Sequence, residues 1–167
     1  MFTVLFVCTG NICRTPMAKS YLRRLIKQDG LDHLITVRSA GTWAGHGEPA
    51  TRLSQMVCAE HGLDVSNHRS QPIDLYQMKE ADLILCMAQA HKQDLLQIFP
   101  HYRDKIFTLK EYGRTNPPRY TSIDDPYGRN IEAYRRTFEE ITTEVRRIWP
   151  VLKQHALAKA GLSTETD

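Results

Sequence analysis

Short apolar runs alternate along the chain with segments in which apolar residues recur every three or four positions. The run Val4 to Val7 is wholly apolar and rich in β-branched residues, which is typical of a buried strand. Similar runs predict strands over 34–38, 82–87 and 105–109. The periodic segments predict helices over 16–30, 49–61, 89–99 and 131–152, with Asn130 as the cap of the last helix.

Strands that alternate with helices predict an α/β protein with a parallel sheet. We expect a three-layer, Rossmann-like fold in which a central four-stranded parallel sheet is flanked by helices. A single domain should cover 1–154, and the small, polar residues 155–167 should form a flexible C-terminal tail.

The first strand ends at Cys8, and a six-residue turn that closes on Arg14 separates it from the first helix. Thr15 is a favourable N-cap and Pro16 suits the first helical position, so the turn should lie at the positive end of the helix. Backbone N–H groups gather around anions in this geometry. The turn also follows the carboxyl end of a strand, where α/β folds bind ligands. We therefore predict a phosphate-binding loop.

The loop carries a nucleophile and an anion-binding side chain. A helix N-terminus and a nearby arginine both favour a cysteine thiolate, so Cys8 is the candidate nucleophile. The planar fork of Arg14 can hold two phosphate oxygens, and Gly10 allows backbone amides to approach the ligand. A purely structural Cys8 would leave the Gly-Asn turn, the arginine and the Thr-Pro sequence unexplained together. The predicted phosphate-binding positions are Thr9, Gly10, Asn11, Ile12 and Cys13.

Composition describes an ordinary globular protein of 167 residues, 41% hydrophobic and 25% charged. The formal net charge of +3 is too small to predict a nucleic-acid or membrane partner. The sequence shows no signal-peptide pattern and no apolar run approaching the roughly 18 residues of a membrane span, which predicts a cytoplasmic protein.

Four cysteines in a chain of this length do not predict a disulfide framework. Cys58 and Cys86 lie in apolar stretches and should be inert core residues. Cys8 and Cys13 share one loop, where oxidation could join them in a reversible disulfide. A zinc site would need two further ligands, and no second pair at a suitable spacing accompanies these cysteines, so no metal is predicted.

The segment C-T-G-N-I-C-R-T-P-M-A resembles the active-site loop of the low-molecular-weight protein tyrosine phosphatases. The resemblance continues through S-A-G-T, H-G-L-D-V-S-N-H-R-S-Q, A-D-L-I-L-C-M and D-D-P-Y-G, and it covers about residues 1–153. It implies hydrolysis of phosphotyrosine through a phosphocysteine intermediate, without a cofactor. Cys13 would then have a protective role against oxidation of the nucleophile.

The resemblance also implies roles for residues outside the loop. Asp125, which precedes Pro126 in the long irregular connection 112–128, matches the general acid of the family. In the family, side chains that match Thr15, Ser39 and His68 hold the loop asparagine in a left-handed conformation. The walls of the substrate pocket would be Ile12, Trp43 and Tyr127.

Several alternatives remain. The segment 91–112 is similar to the branch of the family that dephosphorylates arginine, although that branch typically has Thr where this chain has Ile12. The expected partners are therefore phosphotyrosine proteins, with phosphoarginine proteins as the alternative. The enzyme is expected to be a monomer or a weak homodimer. An arsenate reductase would need two further closely spaced thiols. A non-catalytic phosphate-binding or redox-sensing module would not need Asp125. Ala88 and Gly128 stand where eukaryotic members of the family commonly have an aspartate and a second aromatic residue. The resemblance therefore does not extend to these two positions of the pocket rim.

Overall fold

A parallel sheet forms the centre of the computed structural model, which describes residues 1–162. Its strands are β1 (Phe2–Cys8), β2 (Ile35–Gly41), β3 (Leu83–Cys86) and β4 (Ile106–Thr108). They lie in the order β2-β1-β3-β4, and each neighbouring pair is parallel. The predicted four-stranded, Rossmann-like α/β fold is therefore confirmed.

Helices cover both faces of this sheet. In the described residues they are α1 (Arg14–Gln28), α2 (Arg52–Glu60), α3 (Leu75–Glu80), α4 (Gln89–Ile98), a 3₁₀ helix (Pro100–Lys105) and α5 (Ile131–Lys159). Alternate residues of β1 divide the core into two clusters, because successive side chains of a strand point to opposite faces. Val4 and Phe6 belong to the cluster under α1, α2 and α5, and Leu5 and Val7 to the cluster under α3 and α4.

Two helices begin at positions that differ from the prediction. Helix α1 begins at Arg14, so Thr15 is not its N-cap, and the Thr15 hydroxyl instead accepts a hydrogen bond from the Asn11 side chain. Helix α2 begins after Thr51 rather than at Pro49, because the Thr51 hydroxyl accepts the N–H of Ser54 at 3.3 Å. For both helices, the hydrogen bonds of a threonine side chain explain the observed start better than the position of the nearby proline does.

Helix α3 was not predicted. It has only six residues, too few to display an apolar period, but Asp74 and Gln77 form a reciprocal capping box at its start. The Asp74 carboxylate accepts the Gln77 N–H at 2.8 Å, and the Gln77 side chain accepts the Asp74 N–H at 2.9 Å.

Helix α5 begins after the predicted cap, since the Asn130 side chain accepts the Ala133 N–H at 3.0 Å. It extends to Lys159, beyond the domain boundary predicted at residue 154. Contacts with two distant parts of the chain explain the extension, because Lys159 donates to the Met1 carbonyl and to the Asp82 carboxylate. The tail predicted from residue 155 is thus helical in its first part, and residues 163–167 lie outside the described residues.

None of the helices within residues 1–162 has an apolar stretch long enough to span a bilayer.

Candidate active site

The turn 9–13 joins Cys8, the last residue of β1, to Arg14, the first residue of α1. Cys8 is buried, and its Sγ atom accepts the Asn11 backbone N–H at 3.3 Å. The sulfur also lies 3.4 Å from the Thr15 hydroxyl. Because that hydroxyl accepts from the Asn11 side chain at 2.7 Å, its own hydrogen is free to point at the sulfur. The sulfur therefore faces two donors at the N-terminus of α1.

Asn11 has a positive φ of 59° and is completely buried. Asparagine tolerates this left-handed conformation better than most residues. Its side chain donates to Thr15 and accepts the Gln71 N–H at 2.9 Å, while its carbonyl accepts from His68 Nε2 at 2.5 Å. Three hydrogen bonds, two of them from the distant segment 68–71, therefore fix the middle of the turn.

Ser39 makes no hydrogen bond to Asn11, although the resemblance implied that it would. Within residues 1–162 its link to the turn is indirect: the Gln71 side chain donates to the Ser39 carbonyl at 2.9 Å, and the Gln71 backbone N–H donates to Asn11. Gln71 is thus a supporting residue that the sequence did not identify, although it is the last residue of the segment H-G-L-D-V-S-N-H-R-S-Q.

The end of β2 lies tightly against the turn. A Cβ atom on Gly41 would lie 2.3 Å from the Thr9 carbonyl oxygen, so only glycine fits there. The next two amides continue the contact, since Thr42 donates to the Cys8 carbonyl at 2.9 Å and Trp43 to the Thr9 carbonyl at 3.0 Å. This close approach explains the glycine of S-A-G-T and places Trp43 beside the turn.

The Arg14 guanidinium is buried and is held by the protein on several sides. Nη1 donates to the Ile123 carbonyl at 2.8 Å, and Nη2 lies 3.5 Å from both the Thr9 hydroxyl and the Asp125 carboxylate. Nε is buried and has no hydrogen-bond partner among residues 1–162. A phosphate oxygen would satisfy this donor and would accept the bidentate geometry of the guanidinium.

His91 is a second buried group beside the turn, and no pattern in the sequence indicated its role. The Ala88 N–H donates to Nδ1 at 3.1 Å, so the ring hydrogen is on Nε2, which donates to the Thr9 hydroxyl at 2.8 Å. Burial, followed by the positive charge of Arg14, lowers the pKa of His91 to about 4. His91 is therefore neutral near pH 7 and keeps this pattern of donor and acceptor.

The two adjacent aspartates of the 112–128 connection have different surroundings. Asp125 lies close to Arg14, and its other oxygen accepts the Tyr127 N–H at 3.0 Å. Asp124 accepts from the Tyr120 hydroxyl at 2.6 Å instead. The structure thus brings Asp125, and not Asp124, to Arg14.

A pocket of about 300 Å³ opens above the turn and is lined by Cys8, Arg14 and Asp125. Its apolar walls come from the three residues predicted for that place, Ile12, Trp43 and Tyr127, and Glu48 lies at the same opening. The side chains of Trp43 and Tyr127 are 86% and 65% exposed, so both rings are accessible to a ligand.

The remaining thiols differ from Cys8. Cys13 is buried, with its sulfur 3.5 Å from the Tyr134 hydroxyl and 3.7 Å from the Thr51 hydroxyl, and burial raises its pKa. Cys58 and Cys86 lie in the core, as predicted, and burial raises the pKa of Cys58 to about 11. Within the described residues no three His, Cys, Asp or Glu side chains are grouped as a metal site.

A cysteine at the amino end of a helix, an arginine fork and a carboxylate around one pocket define a cysteine-dependent phosphatase. Comparison with known proteins agrees with this class. The family model for low molecular weight phosphotyrosine protein phosphatase matches residues 3–160, and the chain therefore belongs to that family. It is a phosphoric monoester hydrolase.

Individual relatives fall into two groups. The chain is 37% identical to a protein-arginine-phosphatase of Bacillus subtilis, with 90% of this chain and 97% of that protein covered. It is also 37% identical to a probable low molecular weight protein-tyrosine-phosphatase, EpsP, of Ralstonia nicotianae, with coverage of 83% and 88%. Among solved structures, a low molecular weight protein tyrosine phosphatase from T. tengcongensis is 38% identical, with a TM-score of 0.82 over 90% of this chain and 99% of that chain.

Proposed function

We propose that this chain dephosphorylates protein phosphotyrosine by double displacement, with Cys8 as nucleophile, Arg14 as phosphate-binding residue and Asp125 as general acid and base. The observation that carries the proposal is that these three side chains line one pocket. Its inner end has a thiol at the N-terminus of α1, where an oxyanion is stabilised.

In the first step the Cys8 thiolate attacks phosphorus and forms an S–P bond while the P–O bond to the phenol breaks. Arg14 and the backbone amides of the turn hold the equatorial oxygens as charge shifts between attacking and leaving atoms. The Asp125 carboxyl group transfers its proton to the departing phenolate oxygen. The peptide leaves as a neutral tyrosine.

In the second step a water molecule attacks phosphorus, and the S–P bond breaks. Asp125, now a carboxylate, accepts a proton from this water, and the Cys8 thiolate is regenerated with release of inorganic phosphate. No redox change occurs in either step. Thr15 and Asn11 would hold the sulfur in place throughout, because their donors face it in the resting enzyme.

The walls of the pocket support an aromatic substrate. Ile12 offers an apolar surface at the base, and the exposed rings of Trp43 and Tyr127 can pack against the two faces of a phenyl ring. Such aromatic contacts contribute about 0.5–1.5 kcal/mol beyond burial of area. The pocket therefore offers apolar contacts to an aromatic ring beside the Cys8 thiol, as a phosphotyrosine substrate requires.

Phosphoarginine is the second candidate substrate, and a specific observation favours it: one relative that is 37% identical over 151 residues is named a protein-arginine-phosphatase. The carboxylates of Asp125 and Glu48 line the same pocket and could accept from a guanidinium. Ile12 argues against this substrate, because an isoleucine side chain cannot accept a hydrogen bond from the guanidinium.

The substrate proposal is tested by steady-state hydrolysis of a phosphotyrosine peptide and a phosphoarginine peptide, side by side, with the wild type and Ile12→Thr. We expect faster phosphotyrosine turnover by the wild type and a shift toward phosphoarginine in Ile12→Thr. Ile12→Val, which stays β-branched and apolar, is the matched control and should keep the wild-type preference. Faster phosphoarginine turnover by the wild type would favour the second candidate, and no turnover of either would favour the non-catalytic module.

We also propose a single catalytic domain that acts in the cytoplasm on phosphorylated proteins, as a monomer or a weak homodimer. The small net charge supports protein rather than nucleic-acid partners. Light scattering at several protein concentrations tests the oligomeric state, and a mass that stays at twice the monomer on dilution would contradict it.

A further inference from the structure

A second cleft lies between α1 and the segment 64–69, apart from the substrate pocket. Its volume is about 150 Å³, smaller than the roughly 300–1,000 Å³ of most small-molecule pockets, so it is suited to an ion rather than a nucleotide. Its charged lining consists of Lys19 and Arg23 from α1 and of Asp64 and Arg69 from the segment. We call it the basic cleft.

The cations of the basic cleft have no acidic partner. Among residues 1–162, no carboxylate lies within ion-pair distance of Lys19, Arg23 or Arg69. Asp64 lies in the lining, but its carboxylate accepts the Ser66 N–H at 2.9 Å. Burial, together with the positive charges of Arg23 and Arg38, lowers the pKa of Lys19 to about 8. The fold therefore holds like charges together at a cost that an anion would offset.

Backbone contacts fix the arginines of the cleft. Arg23 donates to the Val37 carbonyl at 3.2 Å, and Arg69 donates to the Ser66 and His68 carbonyls at 3.1 and 2.7 Å. Each guanidinium retains further N–H donors for a ligand. Lys19, in contrast, is a single ammonium group that can turn toward an oxyanion.

His68 connects the basic cleft with the active-site turn. Its Nε2 donates to the Asn11 carbonyl at 2.5 Å, so Nδ1 is the ring nitrogen available as an acceptor. His68 also lines the cleft, and its Nδ1 has no hydrogen-bond partner within residues 1–162. A phosphate ion that keeps one proton could donate to Nδ1 and accept from the surrounding cations at the same time.

We propose that the basic cleft is a second anion site that binds one tetrahedral oxyanion of the phosphate class through Lys19, Arg23, Arg69 and His68. The site is separate from the pocket of Cys8 and lies directly behind the turn that holds Asn11. Inorganic phosphate, the product of the phosphatase reaction, is a tetrahedral oxyanion of the kind that the cleft would bind.

The test is a titration of uniformly ¹⁵N-labelled protein with inorganic phosphate, followed by amide NMR. The amides of Val65, Asn67 and Arg69 report the cleft, and those of Gly10 and Ile12 report the active-site turn. We expect two different saturation curves. A parallel titration with O-phosphoserine distinguishes two kinds of site. If the cleft accepts any phosphoryl group, both ligands should shift the cleft amide signals. If it accepts only the free ion, inorganic phosphate alone should shift them.

The variant Lys19→Gln/Arg23→Gln should raise the half-saturating phosphate concentration of the cleft amides about tenfold or more, because it removes two charged donors. Arg24→Gln/Lys27→Gln, on the same helix but outside the cleft, also removes two positive charges and should leave both curves within about twofold. Arg69→Gln repeats the test from the other wall. Cleft amides that do not shift, or that follow the curve of the turn amides in the wild type and in all variants, would overturn the proposal.

Discussion

The Nε2 nitrogen of His91 lies 2.8 Å from the hydroxyl of Thr9, although 82 positions separate the two residues. Because the Ala88 N–H occupies Nδ1, this histidine can only donate to Thr9. The first residue of the active-site turn is therefore positioned by a neutral imidazole from α4. His91 does not line the substrate pocket, so it acts on the reaction through Thr9.

The replacement His91→Ala should lower kcat about tenfold and change KM little, because loss of one partner of a buried hydrogen bond costs about 1–3 kcal/mol and misplaces Thr9. His91→Gln, whose amide can still donate, should recover most of the activity. Steady-state kinetics with a phosphotyrosine peptide measure both effects. An Ala variant with wild-type kcat, or a Gln variant as impaired as Ala, would contradict the positioning role.

Folding stability should fall as the pH drops from about 6.5 to about 4. The unfolded chain protonates His91 near its usual pKa of about 6.5, whereas the folded protein protonates it only near a pKa of about 4. The unfolded state therefore binds more protons in this range, and the loss at pH 5 should be about 2 kcal/mol. Urea unfolding at several pH values measures it. His91→Gln should have a flatter pH profile, and an unchanged slope in that variant would rule out His91 as the cause.

Asp125→Asn should reduce kcat/KM for phenyl phosphate, which reports the step in which the phenol leaves, by about 10²–10³-fold, because a positioned general acid commonly contributes 10²–10⁴-fold. The loss should be much smaller for p-nitrophenyl phosphate, whose leaving group needs little protonation. Asp124→Asn is the matched control, since Asp124 binds Tyr120 and does not reach Arg14. Equal losses for the two substrates, or in the two variants, would refute the assignment of the acid.

Asn11→Ala should lower the free energy of unfolding by about 2–3 kcal/mol. The alanine would adopt an unfavourable left-handed conformation and would lose two side-chain hydrogen bonds, each of which contributes about 1 kcal/mol. Asn11→Gly removes the same hydrogen bonds but tolerates the φ angle, so it should be less destabilised than Ala. Chemical denaturation compares the two variants. If Gly is as unstable as Ala, conformational strain has no part in the effect.

Mild peroxide treatment should inactivate the enzyme reversibly. Oxidation of Cys8 gives a sulfenic acid, which the Cys13 thiol converts to a disulfide with release of water. Mass spectrometry of the non-reduced digest detects the linked peptides, and dithiothreitol should restore turnover. Cys13→Ser should lose activity irreversibly, while Cys58→Ser, altered in the core, should recover like the wild type. Full recovery of Cys13→Ser would exclude the protective role.

Local patterns in the sequence were sufficient to predict the central elements of the fold. The apolar run of β1 and the turn that follows it placed Cys8 and Arg14, and the prediction of Asn130 as the cap of α5 is confirmed by its bond to Ala133. Each of these features depends on residues that are near one another along the chain. The predicted start of α1 was wrong, because the Thr15 hydroxyl accepts a hydrogen bond from Asn11 in the turn and does not cap the helix.

Contacts between distant segments could not be predicted in the same way. His91 reaches Thr9, and Gln71 reaches Asn11, only after β1, β2 and β3 have assembled. The end of α5 depends on Lys159 meeting Asp82 across the fold. No spacing rule predicts these contacts, so the supporting roles of His91 and Gln71 required the structure, whereas the family resemblance had already indicated Thr15 and His68.

The most direct test of the proposed mechanism is to trap the covalent intermediate. The enzyme is mixed with a phosphotyrosine peptide, quenched in acid during turnover, digested and examined by mass spectrometry under conditions that preserve phosphocysteine. We expect phosphate on the peptide that contains Cys8 in the wild type and no phosphate on the matching peptide of Cys8→Ala, whose side chain has no nucleophilic atom. Turnover with the phosphate on another residue, or undiminished turnover by a folded Cys8→Ala variant, would contradict nucleophilic attack by Cys8.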